Sequence, residues 1–288
     1  MEFFRPTSLA EACQLKSEHP DAVPLCGGTD VMVDINFDRR RPDALLDLTG
    51  VRELYEWSRY DSHVRVGAAV PYTTIIKELS ADAPGLAIAS RTVGSPQIRN
   101  RGSVGGNLGS ASPAGDALPP LLAVDAVVET VSATNRRRIP IHEFFLGPKR
   151  NALQPDELIA AVHAPVAGGP QQFAKVGTRN AMVIAVCSFS LALHPDTGRV
   201  GTGIGSAAPT PLAATQAEDF LSAELADRWT GPAELPDDVV RRFGELVAGA
   251  ASPIDDVRGT ADYRRHALAV LARRTLTWTW AEHIRRAQ

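Results

Sequence analysis

Cysteine is scarce in this sequence: Cys13, Cys26 and Cys187 are the only three in 288 residues, and they lie far apart. The scatter offers neither a disulfide framework nor a zinc-ligand spacing. An all-cysteine iron–sulfur cluster needs four thiolates, so this chain cannot hold one unaided. Long apolar runs are missing as well, and no stretch reaches the length needed to span a bilayer. The opening Met1-Glu2-Phe3-Phe4-Arg5-Pro6 lacks the basic-then-apolar pattern of a signal peptide, which makes the cytoplasm the default expectation. A formal net charge of −3 gives no reason to expect nucleic acid or an anionic membrane as a partner. Arg39 to Arg41 and Arg136 to Arg138 are short basic runs, each expected in a solvated loop. The seven histidines do not cluster along the chain and are expected to be structural or exposed. No internal repeat is visible, and no acid–base pair stands out as one that must act.

The two common nucleotide-binding loops are also absent. Neither Gly-x-Gly-x-x-Gly nor Gly-x-x-x-x-Gly-Lys-Ser/Thr occurs; Gly201-Thr202-Gly203-Ile204-Gly205 comes nearest and lacks the last glycine at the required spacing.

What is there is an ordinary globular composition, 44% hydrophobic and 22% charged, in a chain long enough for a substantial core and two domains. The stretch Arg91 to Asp125 organises it. Between Gly102 and Asp116 the only large aliphatic residues are Val104 and Leu108, and the glycines at 105, 106 and 109 let backbone lie close to another surface. Exposed N–H groups in such turns form a concave anion site, with Ser103, Ser110 and Ser112 as further donors. The composition is also that of a flexible linker. Ile98, Val104, Leu108 and the apolar Leu118 to Val124 instead suggest a loop pinned at several points. A second turn, Leu25-Cys26-Gly27-Gly28-Thr29-Asp30, follows a short apolar run. A helix beginning near Thr29 would turn its free N–H groups toward an anion. Two such loops suggest the two sides of a diphosphate.

Periodicity supplies the rest. Ser8 and Glu11 mark a helix start as a possible capping box. Ala22 to Leu25, Ala44 to Leu48, the alternating His63 to Val70, Val127 to Val131, Arg138 to Pro140 and Leu158 to His163 read as strands. Thr74 to Leu79 and the segment after Pro84 read as helices. Ala114 to Val124 reads as a helix that Pro119 and Pro120 must kink or end. Ala167-Gly168-Gly169-Pro170 is the best linker in the chain. Beyond it, Gln172 to Gly177, Met182 to Leu193 and Arg199 to Gly205 read as strands, the last two joined at Asp196-Thr197-Gly198. Asp237 to Ala250 and Ala261 to Arg286 read as helices. The irregular alternation argues for α+β layers rather than a regular parallel barrel.

CGGTD at 26–30 and VGSPQIRNRGSVGGNLGSASPAGD at 93–116 together resemble the paired FAD-binding motifs of the flavoprotein, or medium, subunit of molybdenum hydroxylases, the family of xanthine dehydrogenase and aerobic carbon monoxide dehydrogenase. QFAKVGTRNAMVIAV at 172–186, IGSAAPTPLAATQAEDFL at 204–221 and DYRRHALAVLARRTL at 262–276 extend the likeness over nearly the whole chain. The resemblance implies an FAD-binding domain at 1–167, of the vanillyl-alcohol oxidase / p-cresol methylhydroxylase type, with subdomains at about 1–55 and 56–167. A C-terminal domain at 168–288 would be an antiparallel sheet packed by helices.

It further implies non-covalent FAD in an oxidoreductase complex. A small partner subunit would carry two [2Fe-2S] clusters and a large one the molybdenum cofactor, in a dimer of heterotrimers. Electrons would pass through the FAD to an external acceptor: nicotinamide, quinone or oxygen. Gly27, Gly28, Thr29 and Asp30 would meet the diphosphate from one side, and Ser103, Gly105, Gly106, Asn107 and Ser110 from the other. Asp116 would accept from a ribose hydroxyl, because a carboxylate can take both donors of a diol. Leu158 and Ile159 would line the flavin or adenine. Lys175 would lie near the flavin and stabilise negative charge on the reduced ring. Val93 stands where some relatives have an aromatic side chain against the isoalloxazine. The resemblance implies no catalytic side chain and no metal ligand in this chain. Two other readings stay open at this point: a flavin enzyme working alone on a small molecule, which would need a substrate cavity beside the ring, and a non-redox binding or assembly module.

Overall fold

The computed structural model describes residues 1–231 and 233–288. Its first layer is a small parallel sheet. Strands Glu2–Phe4 (β1), Val23–Leu25 (β2) and Ala44–Asp47 (β3) pair in the order β1-β3-β2, with helices Leu9–Glu18 (α1) and Val31–Asn36 (α2) supplying the crossovers that parallel neighbours require. Ser8 caps α1 by accepting the Glu11 N–H at 3.2 Å. The Glu11 carboxylate returns to the N–H of Thr7 at 2.7 Å rather than to that of Ser8, so the box closes one residue early. Strand β1 has no signal in the sequence, because three residues are too few to display alternation.

The second layer is an antiparallel sheet. Trp57–Arg59 (β4) and His63–Gly67 (β5) lead into helices Tyr72–Glu78 (α3), Pro84–Thr92 (α4), Pro96–Arg99 (α5), Val104–Ser110 (α6) and Leu118–Ala123 (α7). The chain then returns through Val127–Val131 (β6), Arg136–Pro140 (β7), a short helix Ile141–Phe144 (α8), the hairpin Phe145–Gly147 (β8) and Arg150–Asn151 (β9), and Leu158–Pro165 (β10). The sheet order is β4-β5-β10-β6-β7. Leu46, Val64, Val66, Ile75, Leu108, Leu121 and Phe144 belong to the core these elements share with the first layer.

Two expectations change here. Pro119 and Pro120 neither kink nor end a helix; they open α7, where the missing N–H groups would have had no partner. Arg136 to Arg138 are not a solvated loop but lie on β7. Arg136 pairs with Glu129 at 3.0 Å, and Arg137 grips the buried Glu157 through two 2.6 Å contacts. The face that carries Glu129 draws histidines together. Glu129 also takes Arg65 at 3.0 Å and His163 at 2.8 Å, and the His163 ring lies 5.1 Å from that of His63.

The third layer, Gln171–Val176 (β11), Cys187–His194 (β12) and Arg199–Gly205 (β13), is antiparallel in that order. Helices Thr215–Leu225 (α9), Asp237–Ala250 (α10) and Ala261–Ala287 (α11) close over a second core containing Phe189, Leu221, Phe243, Leu268 and Trp280. Strand β12 starts five residues later than Met182. Met182 has a φ of 51°, outside the extended region, and the Arg179 guanidinium holds the 181 and 182 carbonyls in a local loop. The three cysteines are free. Among the described residues no helix is long and apolar enough to cross a membrane.

The layers meet along a seam of bare backbone. Gly201, Gly203 and Gly205 recur at every second residue and so share one face of β13. A Cβ on Gly201 would lie 2.0 Å from the Ala123 carbonyl oxygen, and one on Gly203 would lie 2.0 Å from that of Pro119. The Gly-x-Gly-x-Gly run is thus a groove that seats α7. Beside it Asp125 accepts hydrogen bonds from His142 at 2.7 Å and from Arg199 at 2.6 Å. The expected linker is pinned as well. Ala167 donates to the Asp82 carbonyl at 2.8 Å, and Gly169 lies so close to Leu193 that a Cβ would come within 2.4 Å of its carbonyl oxygen.

Candidate cofactor site

The two glycine-rich stretches form one cradle. The chain leaves β2 at Leu25 and turns at Gly28, whose φ is 73°. Helix α2 starts at Val31 and has only six residues, so the turn itself, not a helix dipole, supplies the donors. Among the described residues, the N–H groups of Gly28, Thr29 and Asp30 donate to no backbone acceptor, while that of Gly27 faces the Cys26 thiol. A Cβ on Gly27 would lie 2.0 Å from the Arg101 carbonyl oxygen and 3.1 Å from the Gly102 nitrogen, which places this turn directly on the second stretch. The Ser110 hydroxyl closes the cradle by donating to the Asp30 carboxylate.

The second stretch departs from the expected loop, because residues 104–110 are helix α6. Ser103 caps it, its hydroxyl oxygen accepting the Gly106 N–H at 3.2 Å and its carbonyl the Asn107 N–H at 3.1 Å. Gly105 faces the protein, not a ligand. Its N–H donates to the Ala68 carbonyl at 3.0 Å, and a Cβ would come within 2.5 Å of Ala68. Gly106 is exposed, with its N–H held by the cap. Asn107 accepts the Ala117 N–H at 3.2 Å and packs on Gly115, shaping the approach to Asp116. Ile159 lies under Gly109, while Leu158 is wholly in the core. Val93 packs on that core, and its carbonyl is held at 3.1 Å by Arg99.

Asp116 and Lys175 lie at the far end, joined across the two domains at 2.5 Å and both almost fully buried. The Lys175 ammonium also donates to the Thr92 carbonyl at 2.9 Å and to that of Val183 at 3.2 Å. All three of its hydrogens are therefore spent on protein, and none is left for a flavin ring. The Thr92 hydroxyl, whose one hydrogen is shared between the Ala89 carbonyl at 2.7 Å and this carboxylate, lies 3.0 Å from the same oxygen, Oδ2. Burial pushes the Asp116 carboxyl upward against the pull of Lys175. Among the described residues its other oxygen, Oδ1, has no partner, and neither has the buried hydroxyl of Tyr72. A buried polar atom left without a partner costs about 1–3 kcal/mol. Free N–H groups at one end and an unsatisfied carboxylate oxygen at the other suit a ligand with a diphosphate and a polyol, the composition of FAD. Tyr72, Thr92 and Asn151, which donates to the Gly109 carbonyl at 2.9 Å, were not singled out from the sequence. Thr92 directly precedes the motif and was within reach of that reading; the other two carry no local signal.

Two family models match the chain. That of the FAD binding domain in molybdopterin dehydrogenase covers residues 1–167, and that of the CO dehydrogenase flavoprotein C-terminal domain covers residues 172–279. The chain is 33% identical over 249 residues to the nicotinate dehydrogenase FAD-subunit of Eubacterium barkeri, spanning 82% of this chain and 84% of that one. It is 29% identical over 284 residues to the nicotine 6-hydroxylase medium subunit of Paenarthrobacter nicotinovorans, spanning 96% of each. Its fold superposes on a chain of the carbon monoxide dehydrogenase from Hydrogenophaga pseudoflava with a TM-score of 0.86 at 26% identity, covering 98% of both. The chain belongs to the family of FAD-binding, or medium, subunits of the molybdopterin dehydrogenases, and is an oxidoreductase flavoprotein subunit.

Proposed function

We propose that this chain holds non-covalent FAD between residues 27–30 and 103–116 and works as the electron-transfer subunit of a molybdenum hydroxylase. Its small partner subunit would carry the iron–sulfur clusters and its large partner the molybdenum cofactor, in a dimer of heterotrimers. The observation that carries the reading is the pressing of Gly27 onto Arg101 and Gly102, which joins two glycine-rich turns into one cradle with free N–H donors. When bound, FAD accepts electrons singly or in pairs, which suits a position between iron–sulfur clusters and an external acceptor. The chain's own residues bind and orient. Gly28 to Asp30 offer backbone donors to the diphosphate, Ser110 fixes Asp30, and Oδ1 of Asp116 offers an acceptor to a hydroxyl. Ser103, Gly105, Gly106 and Asn107 act by shaping the cradle, and Lys175 by holding Asp116. Ile159 and Val93 lend apolar surface at its edge, with Leu158 behind them in the core.

We take residues 1–167 as the FAD-binding domain, with subdomains at about 1–55 and 56–167, and residues 168–288 as the C-terminal domain. The two separate hydrophobic cores support that division. The cytoplasm is the compartment we assign, where three unpaired thiols stay reduced.

The test is gentle purification of the tagged chain from its native host, followed by a visible spectrum, identification of acid-released flavin and identification of co-purifying polypeptides. FAD with iron–sulfur absorption and two partner chains is the expected result. A colourless chain that also fails reconstitution with FAD would sink the reading.

A further inference from the structure

Tyr72 opens α3 directly beneath the second glycine-rich stretch. Its N–H donates to the Gly102 carbonyl at 3.1 Å, and its ring lies against Gly102, where a Cβ would meet two ring carbons at 3.4 Å. The residue is 2% exposed, and its hydroxyl has no hydrogen-bond partner among the described residues. Burial pushes its ionisation far up, and the carboxylates of Asp116 and then Asp30 push it further, so the fields of both reach it. These two acids stand at the two ends of the cradle. Asp30 is tied to Ser110, and Asp116 is held through Oδ2 alone by Lys175 and Thr92. Phenylalanine would fill the same space without stranding a hydroxyl, so packing does not account for a tyrosine here.

We infer that Tyr72 is a further cofactor-binding residue: its hydroxyl donates to an oxygen of the ribityl–diphosphate–ribose span, while Oδ1 of Asp116 accepts from a hydroxyl of the same span. One buried donor and one buried acceptor, each unfilled in the protein alone, match an oxygen-rich chain better than an aromatic ring. The inference rests on the reading of this chain as an FAD protein. Tyr72 lies outside both glycine motifs and is brought to them only by the packing of α3 under residues 101–103.

The test compares the full-length chain with its Tyr72→Phe variant, both stripped of flavin and titrated with FAD, with thermal midpoints of the flavin-free forms measured alongside. Expected is an unchanged or raised midpoint in the variant, because an unpaired hydroxyl is removed, together with FAD affinity about tenfold weaker or worse. An FAD dissociation constant within about twofold of wild type would overturn the inference, as would a lowered midpoint with affinity intact, which marks a hydroxyl used by the scaffold. If the variant does not fold, the tyrosine C–O stretching bands of the wild-type chain are recorded with and without FAD. A shifted band supports the donor, and no shift overturns it. Wild-type chain that binds no FAD at all would bring down the functional reading itself, and this inference with it.

Discussion

Lys175 sits where a cation near the flavin was expected, yet its ammonium is fully engaged by Thr92, Asp116 and Val183. Its role is to neutralise a buried carboxylate. Replacing it in Lys175→Met strands Asp116, and loss of one member of a buried pair costs about 3–5 kcal/mol. The pH dependence follows from the direction of the Asp116 shift. Burial raises its carboxyl in the folded chain, so the fold binds that proton more tightly than the unfolded chain does, and stability falls as pH rises through the interval. Removing Lys175 widens the interval. Urea titrations of both proteins are therefore expected to differ most at neutral pH and to converge in acid; an equal gap at every pH would contradict this account. The lysine itself was legible in the sequence. Its ion pair was not, because 59 residues separate the partners and no local pattern links a strand lysine to a loop aspartate.

Helix α6 displays the competition between propensity and packing. Three glycines in seven residues cost about 1 kcal/mol each relative to alanine. Val104 and Leu108, one turn apart and buried, together with the Ser103 cap, outweigh that cost. The four-residue spacing was visible beforehand, but two apolar residues among so many glycines do not make a period. The anion-binding reading depended on glycine content and not on the type of element; what the structure changes is which glycines face outward. Gly27 is the position where the distinction can be measured. In Gly27→Ala the new methyl meets the Arg101 backbone, which cannot swing aside as a side chain would. The turn must part from residues 101–102. Expected are a stability loss of about 1–3 kcal/mol and FAD affinity weakened by about a hundredfold or more, read by flavin fluorescence and calorimetry. Retention of wild-type affinity would mean that the two turns do not act as one cradle.

At the scale of the molecule, Asp125 pins the two cores together through His142 and Arg199. The His142 hydrogen bond, and after it Arg199, hold the Asp125 carboxyl down to about 2 against its burial, while the same bond to Asp125 raises His142. The aspartate's contribution is present above its ordinary 3.8 and is lost as pH falls toward 2; the histidine's is present below its ordinary 6.5 and is lost as pH rises through its elevated value. The Asp125→Asn variant should therefore lag wild type most between about pH 4 and 6.5, by no more than about 1 kcal/mol because all three groups are half exposed. Thermal midpoints across that range check it, and a gap that grows with alkalinity would refute it. The sequence supplied most strands and long helices but not their neighbours. Nothing in the composition of β10 announces that it lies between β5 and β6, because alternation records which face is buried, not which strand is adjacent.

The glycine groove of β13 has one more consequence. Where backbone touches backbone, with Gly201 on Ala123 and Gly203 on Pro119, no side chain is available to compensate for a mismatch. The two halves of this chain are therefore not interchangeable parts. A hybrid that grafts the C-terminal half of a relative onto this FAD-binding half would succeed only if the donor carried glycine at the same alternate positions, so ancestry by module shuffling is constrained here by two missing methyl groups.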